Sequence, residues 1–351
     1  MLEKQIQTPA LVLDMDIFEK NLKKAVAKCE AAGVSLRPHF KSAKCTAIAR
    51  LELEAGGKGL CCAKVSEAEV LVESGFEDIL IANQVVDRSK ISKAAALATC
   101  CRLSVCVDNE DNIRNLEKQA EFQGSVIYCL VEYDVGMNRC GVKTPEGALK
   151  LAVLINECRH LRFDGIQAYA GNIAHCEDFD TRKQISEETE KRIASLKDFL
   201  KENGVKVPKV TGVSTGTLQF RKPGTIYDEV QCGSFIYCDA AYKAVGVNFD
   251  SSLTVLGTVM NVMGDHITID TGVKSVSMDQ RTPFFMEFPE LPIDFSEEHS
   301  TLPTTSGYVG QRLHMVPSHC CTTINMYDWL YLVRHGRVEG RIPVDGRGKS
   351  I

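Results

Sequence analysis

The chain has 351 residues, 44% of them hydrophobic and 25% charged, with a formal net charge of −5. That length allows one large domain and a smaller one, and that composition suffices for a sizeable core. The acidic balance, with no Lys/Arg run interleaved with aromatics, excludes an evident nucleic-acid surface, and no window reaches the roughly 20 apolar residues of a membrane helix.

In chain order, the N-terminus MLEKQIQTPALVLDMD lacks the basic-then-apolar pattern of a secretory signal. Within it, Gln5–Leu13 reads as a strand. Short apolar runs rich in β-branched residues then alternate with longer amphipathic stretches. The runs are Val34–His39, Gly59–Ala63, Asp78–Ala82, Leu103–Val107, Val126–Glu132, Phe163–Tyr169, Lys209–Val213 and Glu229–Phe235. Helical patterns lie between them at Ser66–Ser74, Asn109–Glu121, Pro145–Glu157 and Thr181–Glu202. Strand–helix alternation implies parallel strands joined by helical crossovers. Eight such units suit a closed (β/α)8 TIM-like barrel better than a doubly wound open sheet. From about Val245 the character changes. Leu253–Val262, His266–Asp270 and Tyr331–Val338 read as strands without long helices between them. The expected organisation is an α/β barrel over residues 14–245 and an antiparallel β domain from 1–13 and 246–351. The 15 cysteines form no CxxC pair, and Cys61, Cys62, Cys106 and Cys129 lie inside strand-like runs. Buried reduced thiols of a cytoplasmic protein account for them.

In barrels of this kind the reacting groups stand at the C-terminal ends of the strands. Lys41 follows the first. An amine there forms a Schiff base when desolvated or near another cation, although a lone lysine far more often is a surface residue beginning a helix. Lys44 and Lys64 are its competitors. Arg139 lies in the Gly136–Gly141 loop after the fifth strand, where its guanidinium suits an anionic oxygen. Tyr169, Gly171 and His175 follow the sixth strand. Ser214-Thr215-Gly216-Thr217 follows the seventh, and Gln231, Gly233 and Ser234 the eighth. Small hydroxyl-rich turns on two late strands offer backbone N–H groups and hydroxyls to a phosphate. In the second domain, Pro317-Ser318-His319-Cys320-Cys321 reads as extended. Residues i and i+2 then share a side, so His319 and Cys321 would converge on one metal, for which imidazole plus thiolate favours zinc over magnesium or calcium.

Taken together, these segments resemble the D-threonine aldolase and D-serine dehydratase family of alanine-racemase-like pyridoxal-phosphate (PLP) enzymes. The resemblance runs end to end. It includes Leu36-Arg37-Pro38-His39-Phe40-Lys41, the Gly136–Gly141 loop, Gln167-Ala168-Tyr169, Thr215-Gly216-Thr217, Glu229–Ser234 and Pro317-Ser318-His319. The stretch Asn325–Trp329, with Gly336-Arg337-Val338-Glu339, is more like the aldolase branch. The resemblance implies Lys41 as the Schiff-base lysine and Arg139 beside the PLP phenolic oxygen. It implies Tyr169 and His175 beside cofactor and substrate. Thr215, Gly216, Gly233 and Ser234 would form the phosphate cup, to which the turn adds the hydroxyls of Ser214 and Thr217, and Gln231 would lie near the pyridine nitrogen. His319 and Cys321 would be the ligands of a divalent metal, zinc or manganese, with magnesium the third choice. The implied substrate is a small D-β-hydroxy-α-amino acid, and the implied assembly a homodimer with active sites near the interface.

Two departures matter. Aldolases of the family usually carry aspartate at the second metal position and dehydratases cysteine, and here it is Cys321. Ala170 stands where a histidine is frequent. Two reactions are therefore open: retro-aldol cleavage to glycine and an aldehyde, with His175 or a metal-bound hydroxide as base, or dehydration, with Lys41 taking the Cα proton. A racemase would need a second base such as Tyr308 and leaves the metal pair without purpose.

Overall fold

The computed structural model describes all 351 residues. Strand β1 (Ala10–Asp14) leads into α1 (Met15–Ala32). An alternating series follows: β2 (Ser35–Leu36), α2 (Phe40–Ala43), α3 (Thr46–Glu54), β3 (Leu60–Cys62), α4 (Val65–Glu73), β4 (Asp78–Gln84), α5 (Arg88–Leu97) and β5 (Arg102–Val107). It continues through α6 (Glu110–Gln123), β6 (Ile127–Glu132), α7 (Pro145–Glu157), β7 (Leu161–Ala168), α8 (Phe179–Glu202), β8 (Val210–Gly212) and β9 (Glu229–Val230). The remainder is mostly strand: α9 (Ala240–Ala244), β10 (Leu253–Met263), β11 (His266–Ile269), β12 (Phe284–Phe285), β13 (Asp294–Phe295), β14 (Ser300–Leu302), β15 (Arg312–Val316), α10 (Cys320–Ile324), β16 (Trp329–Arg334) and β17 (Arg337–Pro343). Two compact units result. One comprises Ala25–Lys41, Ile48–Gly233 and Lys349–Ile351, the other Met1–Lys24, Ser42–Ala47 and Ser234–Gly348.

The first unit is the parallel barrel. Its strands run in the order β2-β9-β8-β7-β6-β5-β4-β3. No reversal of order interrupts the series, as a doubly wound sheet would require. The ends meet where His39 pairs in parallel with Cys61, whose N–H donates to the Pro38 carbonyl at 2.8 Å. Local chemistry sets the crossover helices. Thr144 caps α7 by accepting the Gly147 N–H at 3.1 Å, and Pro145 occupies its first turn, where no N–H is missed. Asn109 caps α6 at 2.8 Å, and Gly124 ends it in left-handed backbone at φ 65°.

Inside the barrel, Cys61, Leu80, Cys106 and Leu130 pack together, one from each of four adjacent strands. Burial pushes the Cys61 thiol up to about 12, so it acts as a small apolar filler. All 15 cysteines are free thiols. Charged residues on or beside the strands alternate in sign and link into a ring. Arg37 meets Asp78 at 3.0 Å and Glu229 at 2.8 Å. Glu229 reaches Lys209 at 3.9 Å, and Lys209 meets Asp164 at 3.1 Å. Asp164 meets Arg102 at 2.6 Å, and Arg102 returns to Asp78 at 3.5 Å. Every charge has an opposite neighbour on each side, which is the condition for burying members such as Arg37 and Glu229. Above the ring, Thr211 Oγ1 donates to Glu229 Oε1 at 3.0 Å and receives an amide hydrogen of Gln231 at 2.8 Å.

The second unit is the β unit. Its sheet runs β13-β14-β11-β10-β1-β16-β17, with β15 also pairing β10 and β12. β1 joins it antiparallel to β10 and parallel to β16. Ile6, Ala10, Val12, Leu256 and Val333 form a core cluster. Two expectations need correction. The N-terminal strand starts at Ala10 rather than Gln5, because Glu3–Gln5 coil into a short helical turn. The single strand expected over Tyr331–Val338 is a hairpin: β16 and β17 turn at His335 and Gly336, both left-handed at φ 49° and 68°. Two consecutive positive-φ residues match the twist of paired strands, and histidine tolerates that region better than most side chains.

Candidate active site

Lys41 occupies the second position of α2, just past β2, and is half-buried. Its backbone N–H donates to His39 Nδ1 at 3.4 Å. Of its competitors, Lys44 sits in left-handed backbone at φ 52° within the β unit, and Lys64 is the cap residue of α4.

On the same barrel face, the Arg139 loop is wound around a carboxylate. Asp134 Oδ1 accepts the Gly136 and Asn138 N–H groups at 2.9 and 3.0 Å. Burial would raise this carboxyl, but the loop N–H groups outweigh it and hold it below its usual range. The Arg139 guanidinium stands 5.6 Å from the Tyr169 ring centre and 3.9 Å from Glu132 Oε1. Glu132 ends β6 and is buried, with Gln84 donating to its Oε2 at 2.6 Å. Burial raises the Glu132 carboxyl, and the Gln84 hydrogen bond and the Arg139 charge only partly pull it back. The structure thus gathers Arg139 and Tyr169 and adds Glu132 and Gln84, which no spacing in the sequence singles out. Ala170 caps the short helical turn Gly171–Ile173, and half-buried His175 follows it.

The hydroxyl-rich turn after β8 is a built cradle. Val213 enters it at φ 70°, a conformation that costs a β-branched residue about 1–3 kcal/mol. Ser214 Oγ and Thr217 Oγ1 lie 3.1 Å apart. Thr215 Oγ1 is buried with no hydrogen-bond partner in the chain. A Cβ on Gly216 would lie 1.9 Å from the Ala174 carbonyl oxygen, so only glycine fits there. An unpartnered buried hydroxyl beside an obligatory glycine is what a phosphate oxygen fills. Gln231 donates to Gln167 Oε1 at 2.7 Å and to Thr211 at 2.8 Å, so its amide is anchored in the barrel interior. Gly233 is buried in the barrel, while Ser234 opens a helical turn of the β unit.

Within the β unit, the expected extended run at His319 stops after one residue. His319 is the cap of α10, at φ −142°, and Cys321 lies in the first helical turn. The physical reason is Asp239, whose buried carboxylate accepts the Cys320 N–H at 2.8 Å and pulls the chain into a turn. His319 and Cys321 nevertheless converge. Burial would lower the imidazole, but the hydrogen bond and charge of Cys321 and then the Asp279 hydrogen bond raise it to about 9. An imidazole and a thiol sharing a proton fit a thiophilic divalent cation, which would take that proton's place. Ser42 Oγ lies 3.1 Å and Ser234 Oγ 3.7 Å from Cys321 Sγ. Ser42 escaped the sequence reading, although it directly follows Lys41. Tyr308, the second base a racemase would need, is 67% exposed.

Two domain models match the chain: the alanine racemase N-terminal domain over residues 13–241 and a putative serine dehydratase domain over 252–333. A 3-hydroxy-D-aspartate aldolase of Paracoccus denitrificans (strain Pd 1222) is 36% identical, over 99% of this chain and 94% of its own. A D-threonine aldolase of Arthrobacter sp. is also 36% identical, with the same coverage. The crystal structure of a D-threonine aldolase from Filomicrobium marinum superposes with a TM-score of 0.96 at 34% identity, over 99% of this chain and 98% of that one. This chain therefore belongs to the alanine-racemase-like family of D-threonine aldolases and D-serine dehydratases.

Proposed function

We propose that the protein is a PLP- and divalent-metal-dependent aldolase that cleaves D-β-hydroxy-α-amino acids, such as D-threonine, to glycine and an aldehyde. The observation that carries the cofactor assignment is the buried, unpartnered Thr215 Oγ1 beside Gly216, on the barrel that also presents Lys41. Bound PLP supplies an electron sink for a carbanion at Cα.

The chain's own residues do the rest. Lys41 carries the cofactor. Ser214, Thr215, Gly216 and Thr217, with Gly233 and Ser234, hold its phosphate. Arg139, 3.9 Å from Glu132 and 5.6 Å from the Tyr169 ring centre, would pair with the phenolic oxygen. Gln231, whose amide is bonded to Gln167 and Thr211, would lie near the pyridine nitrogen. His319 and Cys321 hold the metal, and zinc suits this imidazole–thiol pair. His175 accepts the substrate hydroxyl proton as the Cα–Cβ bond breaks. The bonding electrons pass to Cα, which is reprotonated to give glycine.

Cys321 favours the second reading, a D-serine or D-threo-3-hydroxyaspartate dehydratase, because aldolases of the family usually place aspartate there. It lies in the segment matching the serine dehydratase domain. In that reading Lys41 removes the Cα proton and hydroxide leaves. The product assay decides between them: D-threonine should yield glycine and acetaldehyde, whereas 2-oxobutanoate and ammonia would replace the aldolase by the dehydratase. The free thiols suit a cytoplasmic enzyme, and no helix is long and apolar enough to cross a membrane. Following the family, we place it as a homodimer.

A further inference from the structure

The turn carrying His319 and Cys321 is strapped to a second segment of the β unit, residues 277–281. Ser277 Oγ donates to the His319 carbonyl at 3.0 Å, and the Ser277 N–H reaches Thr323 Oγ1 at 3.2 Å. The Gln280 and Arg281 N–H groups both donate to Ser318 Oγ at 3.0 Å. Asp279 sits in the middle of this strap. Its Oδ2 lies 2.8 Å from His319 Nδ1, and its Oδ1 accepts the Thr322 hydroxyl at 2.8 Å. Both oxygens are spent on the turn that presents the imidazole and the thiol.

A neutral imidazole carries one proton, and the nitrogen without it is the one that can bind a metal. A carboxylate at Nδ1 keeps the proton there and leaves the Nε2 lone pair outward. It also fixes the ring plane and makes the ring a stronger donor. We propose that Asp279 is a positioning residue of the metal centre, selecting the His319 tautomer that ligates through Nε2. This rests on the metal reading above and adds to it a residue that no spacing around His319 indicates. The competing role is a mere clip that joins residues 277–281 to the α10 turn. Thr322 separates the two, because its hydroxyl belongs to the clip and not to the imidazole.

The test is zinc affinity. Purified, PLP-loaded enzyme is stripped of metal and titrated with Zn²⁺ against a competing chromogenic chelator, with a circular-dichroism melt confirming that each variant folds. Wild type should bind one Zn²⁺ per chain and His319→Ala should lose it. Asp279→Ala should bind about 10–100-fold more weakly. Asp279→Asn should fall between, since a neutral amide oxygen accepts the Nδ1 proton less strongly, and Thr322→Val should match wild type. Asp279→Ala binding zinc as wild type does overturns the proposal, as does a Thr322→Val loss equal to that of Asp279→Ala. If Asp279→Ala fails to fold, the Asn and Val variants decide alone. Wild type that binds no zinc, with His319→Ala equally silent, removes the metal reading itself and this inference with it.

Discussion

Arg37 and Glu229 lie side by side inside the barrel, Nε to Oε1 at 2.8 Å, with both side chains less than a tenth exposed. Arg37 also forks onto Asp78, bonding Oδ1 at 3.0 Å and Oδ2 at 3.1 Å. It is thus the member of the charge ring that joins β2 to β9 on one side and β4 on the other.

Arg37→Met should therefore be among the most damaging single changes in the barrel. It leaves Glu229 with only the more distant Lys209 at 3.9 Å and Asp78 with only Arg102 at 3.5 Å, and breaking one side of a buried pair such as Arg37–Glu229 costs about 3–5 kcal/mol. Urea unfolding should show a lower midpoint by that amount. A variant within about 1 kcal/mol of wild type would mean that Lys209 and Arg102 alone neutralise the ring.

Phosphate binding has its own signature. Thr215→Val keeps the shape of the cradle and removes the unpartnered hydroxyl. Loss of a hydrogen bond to a charged oxygen, about 1.5–3 kcal/mol, should weaken PLP about 10–100-fold in equilibrium dialysis. Because the hydroxyl has no partner without the cofactor, the stability of the PLP-free chain should hold steady or rise. Gly216→Ala should lose the cofactor together with local structure, since its Cβ would strike the Ala174 carbonyl.

The lysine and the histidine should separate in kinetics and spectra. Lys41→Ala should lose the visible absorption band of lysine-bound PLP and all turnover, and a colourless wild type would end the cofactor assignment. His175→Gln should keep the band and lower kcat about 10²–10⁴-fold, the usual worth of a general base. An unchanged kcat would remove His175 from proton transfer.

Alkaline pH should loosen the β unit through His314. Its Nδ1 meets Glu287 and its Nε2 meets Glu3, each at 2.9 Å. Burial would lower this imidazole, but the two carboxylates raise it from 6.5 to about 9. A raised value means that the charged form is favoured by folding. Its contribution is complete below about pH 6.5 and fades as pH climbs through about 9. The stability difference between wild type and His314→Gln should shrink over that window, and a difference independent of pH would show that Glu3 and Glu287 do not hold the imidazolium.

How much of this was legible beforehand varies by residue. The barrel strands were readable because β-branched runs and capped helices are local signals. Val34–His39 and Glu229–Phe235 were both found, although each keeps only two residues of regular strand. The short strands β12 to β15 carry no such run in the sequence reading. His335-Gly336 was read through because apolar residues flank it on both sides, and the run at His319 was read as extended because Asp239, which turns it, lies far away in sequence.

The chain by itself determined its family, its eight-unit barrel and the residues at the strand ends, because periodicity and motif chemistry are written along a line. Only the tertiary structure decided which groups face one another. Asp279 beside His319, Ser42 beside Cys321, Gln84 on Glu132 and the charge ring around Arg37 join residues from separate segments. Charged and hydroxyl side chains pair through space, and a carboxylate in a loop looks the same in sequence whether it faces water or an imidazole.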